Sequence, residues 1–233
     1  MKVIEIIQRI QSLYSKGVQS DSSRLTPRHI YNKMLTVRTK LLSEKAKKKQ
    51  KISDWNYQVL QCIEMIDVPK FDYPITPIEK CKVRRSKYKI PRVLTDYNGN
   101  MIDYVMTIDT YEKFDYTNRN EMLYVMGNKY TSNKKRYLIE DGYLYAYGRD
   151  VPYMVRMRAI FEDPIQAYQF KDLCESAKKD ACGLDIFEMD FPMDGDQMDI
   201  LIEFAVQELI VLFSQNQEDL TNDNMDTQRI QPK

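Results

Sequence analysis

A chain of 233 residues with 43% hydrophobic and 30% charged positions can bury most of its unfolded surface without disulfide staples. Its 17 Tyr and 8 Phe exclude a disordered chain, and 7 Gly with 9 Pro exclude low-complexity material. A formal net charge of +1 leaves the partner open, and Cys62, Cys81, Cys174 and Cys182 form no CxxC pair, so the expectation is four free thiols of a reducing compartment.

In chain order, Val3, Ile6, Ile7, Ile10, Leu13 and Tyr14 recur at helical spacing. Glu5, Gln8 and Arg9 interrupt that apolar run, which argues for an amphipathic helix and against a cleaved leader. After a polar linker, Thr26 followed by Pro27 is an N-cap before a proline at the first helical position. The helix it opens carries an apolar stripe of Ile30, Met34, Val37, Leu41 and Leu42 and runs into KAKKKQK, whose lysines suit the negative end of the helix dipole. Ser53 is the expected N-cap of a third helix over 54–66, with Trp55, Val59, Cys62, Ile63 and Ile66 near one face.

Pro69, Pro74 and Pro77 then impose an extended linker, and the composition changes. From about residue 80 to 160, β-branched and Tyr-rich runs alternate with turn signals, of which YNGN at 97–100 and EDGY at 140–143 predict hairpins. Four to six antiparallel strands are expected. Pro164 opens a helix continuing through IQAYQFKDLCESAK, and a last helix follows with Asp196 or Asp194 as N-cap and apolar residues on nearly every side. The fold class is therefore α+β: helices at 1–67 and 163–216 packing together, a β-rich subdomain at 68–162, and a flexible tail at 217–233.

The usual catalytic constellations are missing: no phosphate-binding glycine loop, no zinc-protease helix, no nucleophile elbow. His29 is the single histidine and reads as structural, and Asp190, Asp194, Asp196 and Asp199 lack the spacing of a calcium loop. Neither an enzymatic role nor a metal or other cofactor is expected. The longest apolar run, at 200–213, is short of the ~18 residues of a membrane span and contains Glu203 and Glu208, so no membrane partner is expected either.

Charge is segregated. Residues 24–51 hold ten Lys or Arg against Glu44, residues 80–92 hold seven basic and no acidic residues, and residues 185–226 hold twelve acids and no Lys or Arg. Three readings stand side by side for the basic blocks: a solvated helix end, phosphate contacts through Lys45–Lys51 and Lys80–Arg92, or a contact between copies that sets basic against acidic segments.

Several stretches taken together, RLTPRHIYNKMLTVRTKLLSEKAKKKQKISDWNYQVLQCIEMI at 24–66, YLIEDGYLYAYG, VRMRAIFEDP and FPMDGDQMDILIEFAVQEL, resemble head-to-tail connector ring proteins, the portal adaptors of crAss-like tailed bacteriophages. The resemblance implies a virion protein assembled in the bacterial host cytoplasm. It implies a ring of about twelve copies, with the portal protein and a next ring or tail protein as partners and double-stranded DNA passing through. Lys45, Lys47, Lys48, Lys49, Lys51, Arg84 and Arg85 then become candidates for the DNA channel or the portal contact. Leu201, Phe204, Leu209, Leu212 and Phe213 become candidates for the contact between subunits, and the tail from Gln215 is expected to order on assembly.

Overall fold

A computed structural model describes residues 1–17, 25–69, 82–96, 99–126, 134–170 and 186–227. Helices α1 (Val3–Tyr14) and α2 (Pro27–Lys47) come first. There follow β1 (Gln58–Asp67), β2 (Lys82–Ser86), the short pair β3 (Thr95–Asp96) and β4 (Gly99–Asn100), β5 (Ile102–Thr107) and β6 (Asp115–Tyr116). Helix α3 (Arg119–Met126), strands β7 (Arg136–Glu140), β8 (Tyr143–Gly148) and β9 (Met154–Ala159), α4 (Pro164–Tyr168) and α5 (Gly195–Thr227) complete the α+β architecture. The chain forms two units, Met1–Ile52 with Phe187 onward, and Ser53–Ile186.

The first unit is helical. Val3, Ile6, Ile7 and Ile10 of α1, and Ile30, Met34, Val37 and Leu42 of α2, are buried as their spacing demands. Leu201, Ile202, Ala205 and Leu209 of α5 join them in a unit where α5 packs on both other helices. A short antiparallel bridge, Lys2 to Asp190, ties the start of α1 to the approach to α5, with Val3 N–H donating to the Met189 carbonyl at 3.0 Å. Arg38 is fully buried, its Nε donating to the Pro192 carbonyl at 3.3 Å and its guanidinium 5.8 Å from the Phe191 ring centre.

The second unit is a seven-stranded sheet of order β5-β9-β1-β2-β8-β7-β6 beside the separate β3–β4 pair. That exceeds the four to six strands expected, and β6 runs parallel to β7 while the other pairings are antiparallel. Strand β8 buries Leu144 and Ala146 on one face and Tyr145 and Tyr147 on the other, against Met122 of α3. The EDGY hairpin forms as expected: Asp141 and Gly142 both take positive φ, 53° and 81°, the pair of left-handed residues a two-residue hairpin turn needs.

The third helix is corrected. Residues Asp54–Asn56 form one 3₁₀ turn, and the chain then extends into β1, which pairs with β9 from Gln58 to Glu64 and with β2 through its last three residues. A register shift between Leu60 and Ile63 places Cys62 and Ile63 in succession on the buried side. Of the residues expected on one helix face, Cys62 and Ile63 are buried, Ile66 is half-buried and Val59 is exposed, while Leu60 and Met65 join the core. Trp55, expected on the helix face, is 75% exposed.

Three further expectations change. Cys62 is disulfide-bonded, so four free thiols are ruled out. The helix after Asp163, whose carboxylate caps Ile165 N–H at 3.0 Å, closes at Tyr168, and residues 171–178 of that expectation lie outside the described residues. Helix α5 continues to Thr227, into the segment expected to be a flexible tail, because no Gly or Pro occurs between Gly195 and Thr227 to stop it. Residues 228–233 lie outside the described residues.

Leu201 is fully buried and its neighbour Ile200 is 43% exposed. Leu201→Ala should therefore cost about 2–5 kcal/mol in urea unfolding and Ile200→Ala less than about 1 kcal/mol. Equal losses would place both side chains in one core.

Candidate assembly surfaces

Helix α5 has two apolar faces. Leu201, Ala205 and Leu209, four residues apart, form the buried one. On the opposite side Ile200, Phe204 and Val211 are 43, 45 and 55% exposed, at spacings of four and seven that bring them into line. Leu212 is half exposed where the buried stripe ends, and the side chain of Phe213 lies outside the described residues. Of the residues expected at a subunit contact, Leu201 and Leu209 are thus inside the protomer, and Phe204 and Leu212 reach solvent. The sequence reading missed Ile200, although its spacing to Phe204 was visible.

Charge locks α5 to its neighbours. Glu208 accepts from Lys33 Nζ at 2.7 Å and from Lys40 Nζ at 2.6 Å, and Asp199 pairs with Arg9 at 3.0 Å. The hydrogen bonds from Lys33 and Lys40 hold the Glu208 carboxyl below its ordinary value of 4.5. A carboxyl whose folded pKa is depressed adds stability above its unfolded pKa and loses it as the pH falls through the folded value.

The lysines at the end of α2 stand apart from these pairs. Lys49 N–H donates to the Ala46 carbonyl at 2.9 Å and Gln50 N–H to the Lys45 carbonyl at 3.0 Å, a Schellman closure with Lys49 at φ 53°. Glycine is the usual residue there, and a side chain costs about 1 kcal/mol. Lys47, Lys48, Lys49 and Lys51 are exposed and Lys45 is half-buried. None of the five forms an ion pair with a described residue, unlike Lys33 and Lys40 higher on the same helix.

The second basic block behaves differently. Arg84 is 5% exposed; its Nε donates to Asp67 at 2.8 Å, its Nη1 donates to the Val151 carbonyl, and its guanidinium sits 3.4 Å from the Tyr153 ring centre. The hydrogen bond from Arg84 lowers the Asp67 carboxyl from its ordinary value. Arg85 stacks 4.5 Å over Tyr143, Lys87 bonds Glu64 at 2.8 Å, and Arg92 pairs with Glu162 at 3.2 Å. Lys80 lies outside the described residues. Arg84 is a packing residue, so its candidacy for a DNA or portal contact is withdrawn, and Arg85 is engaged within its own sheet.

The expected caps divide similarly. Thr26 Oγ1 accepts from His29 N–H at 3.3 Å and lies 3.0 Å from His29 Nδ1, so the single histidine serves the start of α2. Ser53 precedes the 3₁₀ turn without a side-chain cap bond. Asp196 falls in the first turn of α5, and the Asp194 carbonyl accepts from Gln197 and Met198 N–H, both at 3.1 Å, which makes Asp194 the cap position. Among the described residues no group of three or more His, Cys, Asp or Glu is placed to hold a metal, and no helix is long and apolar enough to cross a membrane.

One face of α5 complete within the protomer and a second left in water is the arrangement of a subunit. A family model described as phage tail ring protein 2, for crAss-like phages, matches residues 5–228. The chain belongs to that family. It is similar to Ring protein 2 of Bacteroides phage crAss001, 30% identical over 202 residues that cover 82% of this chain and 84% of the relative. It is accordingly a structural ring protein of a crAss-like phage and a virion component.

Glu208→Gln should lower stability at pH 7 by up to about 1 kcal/mol, a partly solvated pair being worth no more. The difference should shrink as the pH falls below 4.5 and the parent carboxyl protonates. A gap that persists at pH 3 in thermal melts would assign the effect to packing. Arg84→Ala should cost about 3 kcal/mol, since it strips buried hydrogen bonds and a stacked cation, while Lys47→Ala stays within about 0.5 kcal/mol. Similar melts for the two variants would return Arg84 to the surface.

Proposed function

We propose that this ring protein is an adaptor in the head-to-tail connector. About twelve copies close into a ring that docks on the portal and on the next ring or tail protein, with double-stranded DNA passing through. The observation that carries this reading is the exposed stripe Ile200–Phe204–Val211 on a helix whose other face is already filled. Exposed apolar stripes on otherwise buried helices mark association surfaces, and a ring needs a head-to-tail contact in which two different surfaces meet. Phe204 supplies the aromatic anchor and Ile200 and Val211 the surrounding apolar area.

The β-rich unit offers surfaces for neighbouring rings. Trp55, Tyr111 and Tyr153 are 75, 88 and 59% exposed, and aromatic side chains combine contact area with low conformational cost. Trp55 is held out on a braced turn: Asp54 accepts from Arg158 at 2.8 Å, and Asn56 Nδ2 donates to the Ser53 carbonyl at 3.3 Å. The alternative of a nucleic-acid-binding protein is weakened, because Arg84, Arg85, Lys87 and Arg92 of the 80–92 block are engaged by residues of their own unit.

Ile200→Arg with Phe204→Arg should leave the melting temperature within a few degrees of the parent and remove self-association, read as mass by light scattering with and without the phage's portal assembly. A variant that still joins the portal in the parental multiple would overturn the assignment of this face.

A further inference from the structure

The lysine turn that closes α2 faces the negative end of its own helix dipole but has no carboxylate partner among the described residues. Five cations occupy seven positions and none is ion-paired to a described residue. So dense a cluster of exposed and half-buried cations suits an anionic occupant.

Helix α5 presents the converse. It runs 18 residues beyond Leu209, about 27 Å at 1.5 Å per residue. That stretch carries Glu218, Asp219, Asp223 and Asp226 and no Lys or Arg, and its last turn has no basic residue to offset the negative end of the helix dipole. Cations placed at that end would stabilise it through the dipole and through its four carboxylates.

We propose that the lysine turn of one copy receives the acidic end of α5 from a second copy. This contact rests on the ring reading. It is heterologous: each copy offers a cationic turn and an anionic helix end, so every junction is satisfied only when the series closes. Glutamate 208 fixes the α5 of each copy to its own α2 through Lys33 and Lys40, leaving the lysines beyond Lys40 for the neighbour. Attraction of this kind sets register and the rate of joining, while Ile200 and Phe204 supply the apolar area.

The test uses two full-length variants. In one, Lys47, Lys48 and Lys49 become Glu; in the other, Glu218, Asp219, Asp223 and Asp226 become Lys. Each alone should stay folded and self-associate at least about tenfold more weakly than the parent by sedimentation at low salt. Mixed in equal amounts they should recover assembly, because alternating copies make every junction complementary again. If the Glu variant melts early, the corresponding Gln variant keeps the measurement, since it removes charge without adding acid at the helix end.

Either variant assembling alone like the parent, or a mixture that stays unassembled, would overturn the contact. So would a lysine variant that assembles normally but no longer binds a 40-base-pair duplex, which would assign the turn to DNA. Failure of the ring reading looks different: the unmodified protein itself never self-associates, with or without the portal, and both proposals fall.

Discussion

Everything in this molecule turns on a 33-residue helix with more apolar surface than its own protomer can cover. Leu201, Ile202, Ala205 and Leu209 are buried in the helical unit that α5 shares with α1 and α2. With burial worth about 25 cal/mol per Å², leaving Ile200 and Phe204 in water forgoes part of the same driving force. A monomeric protein gains by replacing such residues with polar ones. A ring subunit gains by keeping them, because the forgone burial is recovered at the junction with the next copy.

Ion pairing sorts the charges by role. Where a cation has a carboxylate or an aromatic ring within reach, as at Lys33, Lys40, Arg84, Arg85, Arg92 and Arg158, it holds the protomer together. Arg158 bonds Asp54 and Asp103 and stacks 4.8 Å over Tyr57, which anchors the turn that displays Trp55. Among the described residues, the cations of the α2 turn have no such company. Charge density along the sequence does not distinguish these cases, since both blocks read as runs of Lys and Arg; the partners come from strands and loops distant in sequence.

Local chemistry was the legible part of the fold. Thr26 before Pro27, the 3.6-residue stripes of α1 and α2, and Asp141–Gly142 between two Tyr-rich runs each specify their structure within a few residues. Long-range information decided the rest. The apolar spacing in β1 suits a helix, but pairing with β9 and β2 outweighs that local preference, and a bulge sets which residues are buried. Asp194 and Asp196 are equally good caps by type; the backbone hydrogen bonds from Gln197 and Met198 to the Asp194 carbonyl select the first. On α5 the apolar surplus was visible, but which residues face inward is set by where α1 and α2 lie, so Leu201 and Ile200 could not be told apart by hydrophobicity.

The proposed passage of a genome would constrain where the lysines without an ion pair among the described residues belong. If the turns faced a channel, a ring of about twelve copies would present about sixty cations to double-stranded DNA, and each phosphate contact releases counterions and strengthens retention. A conduit works against that retention. Lysines closed against the acidic end of the next copy leave the DNA little net charge to hold it, and the +1 formal charge of the chain fits such mutual neutralisation. Segregated charge in a nearly neutral subunit is then the natural result of building junctions from the two ends of one chain.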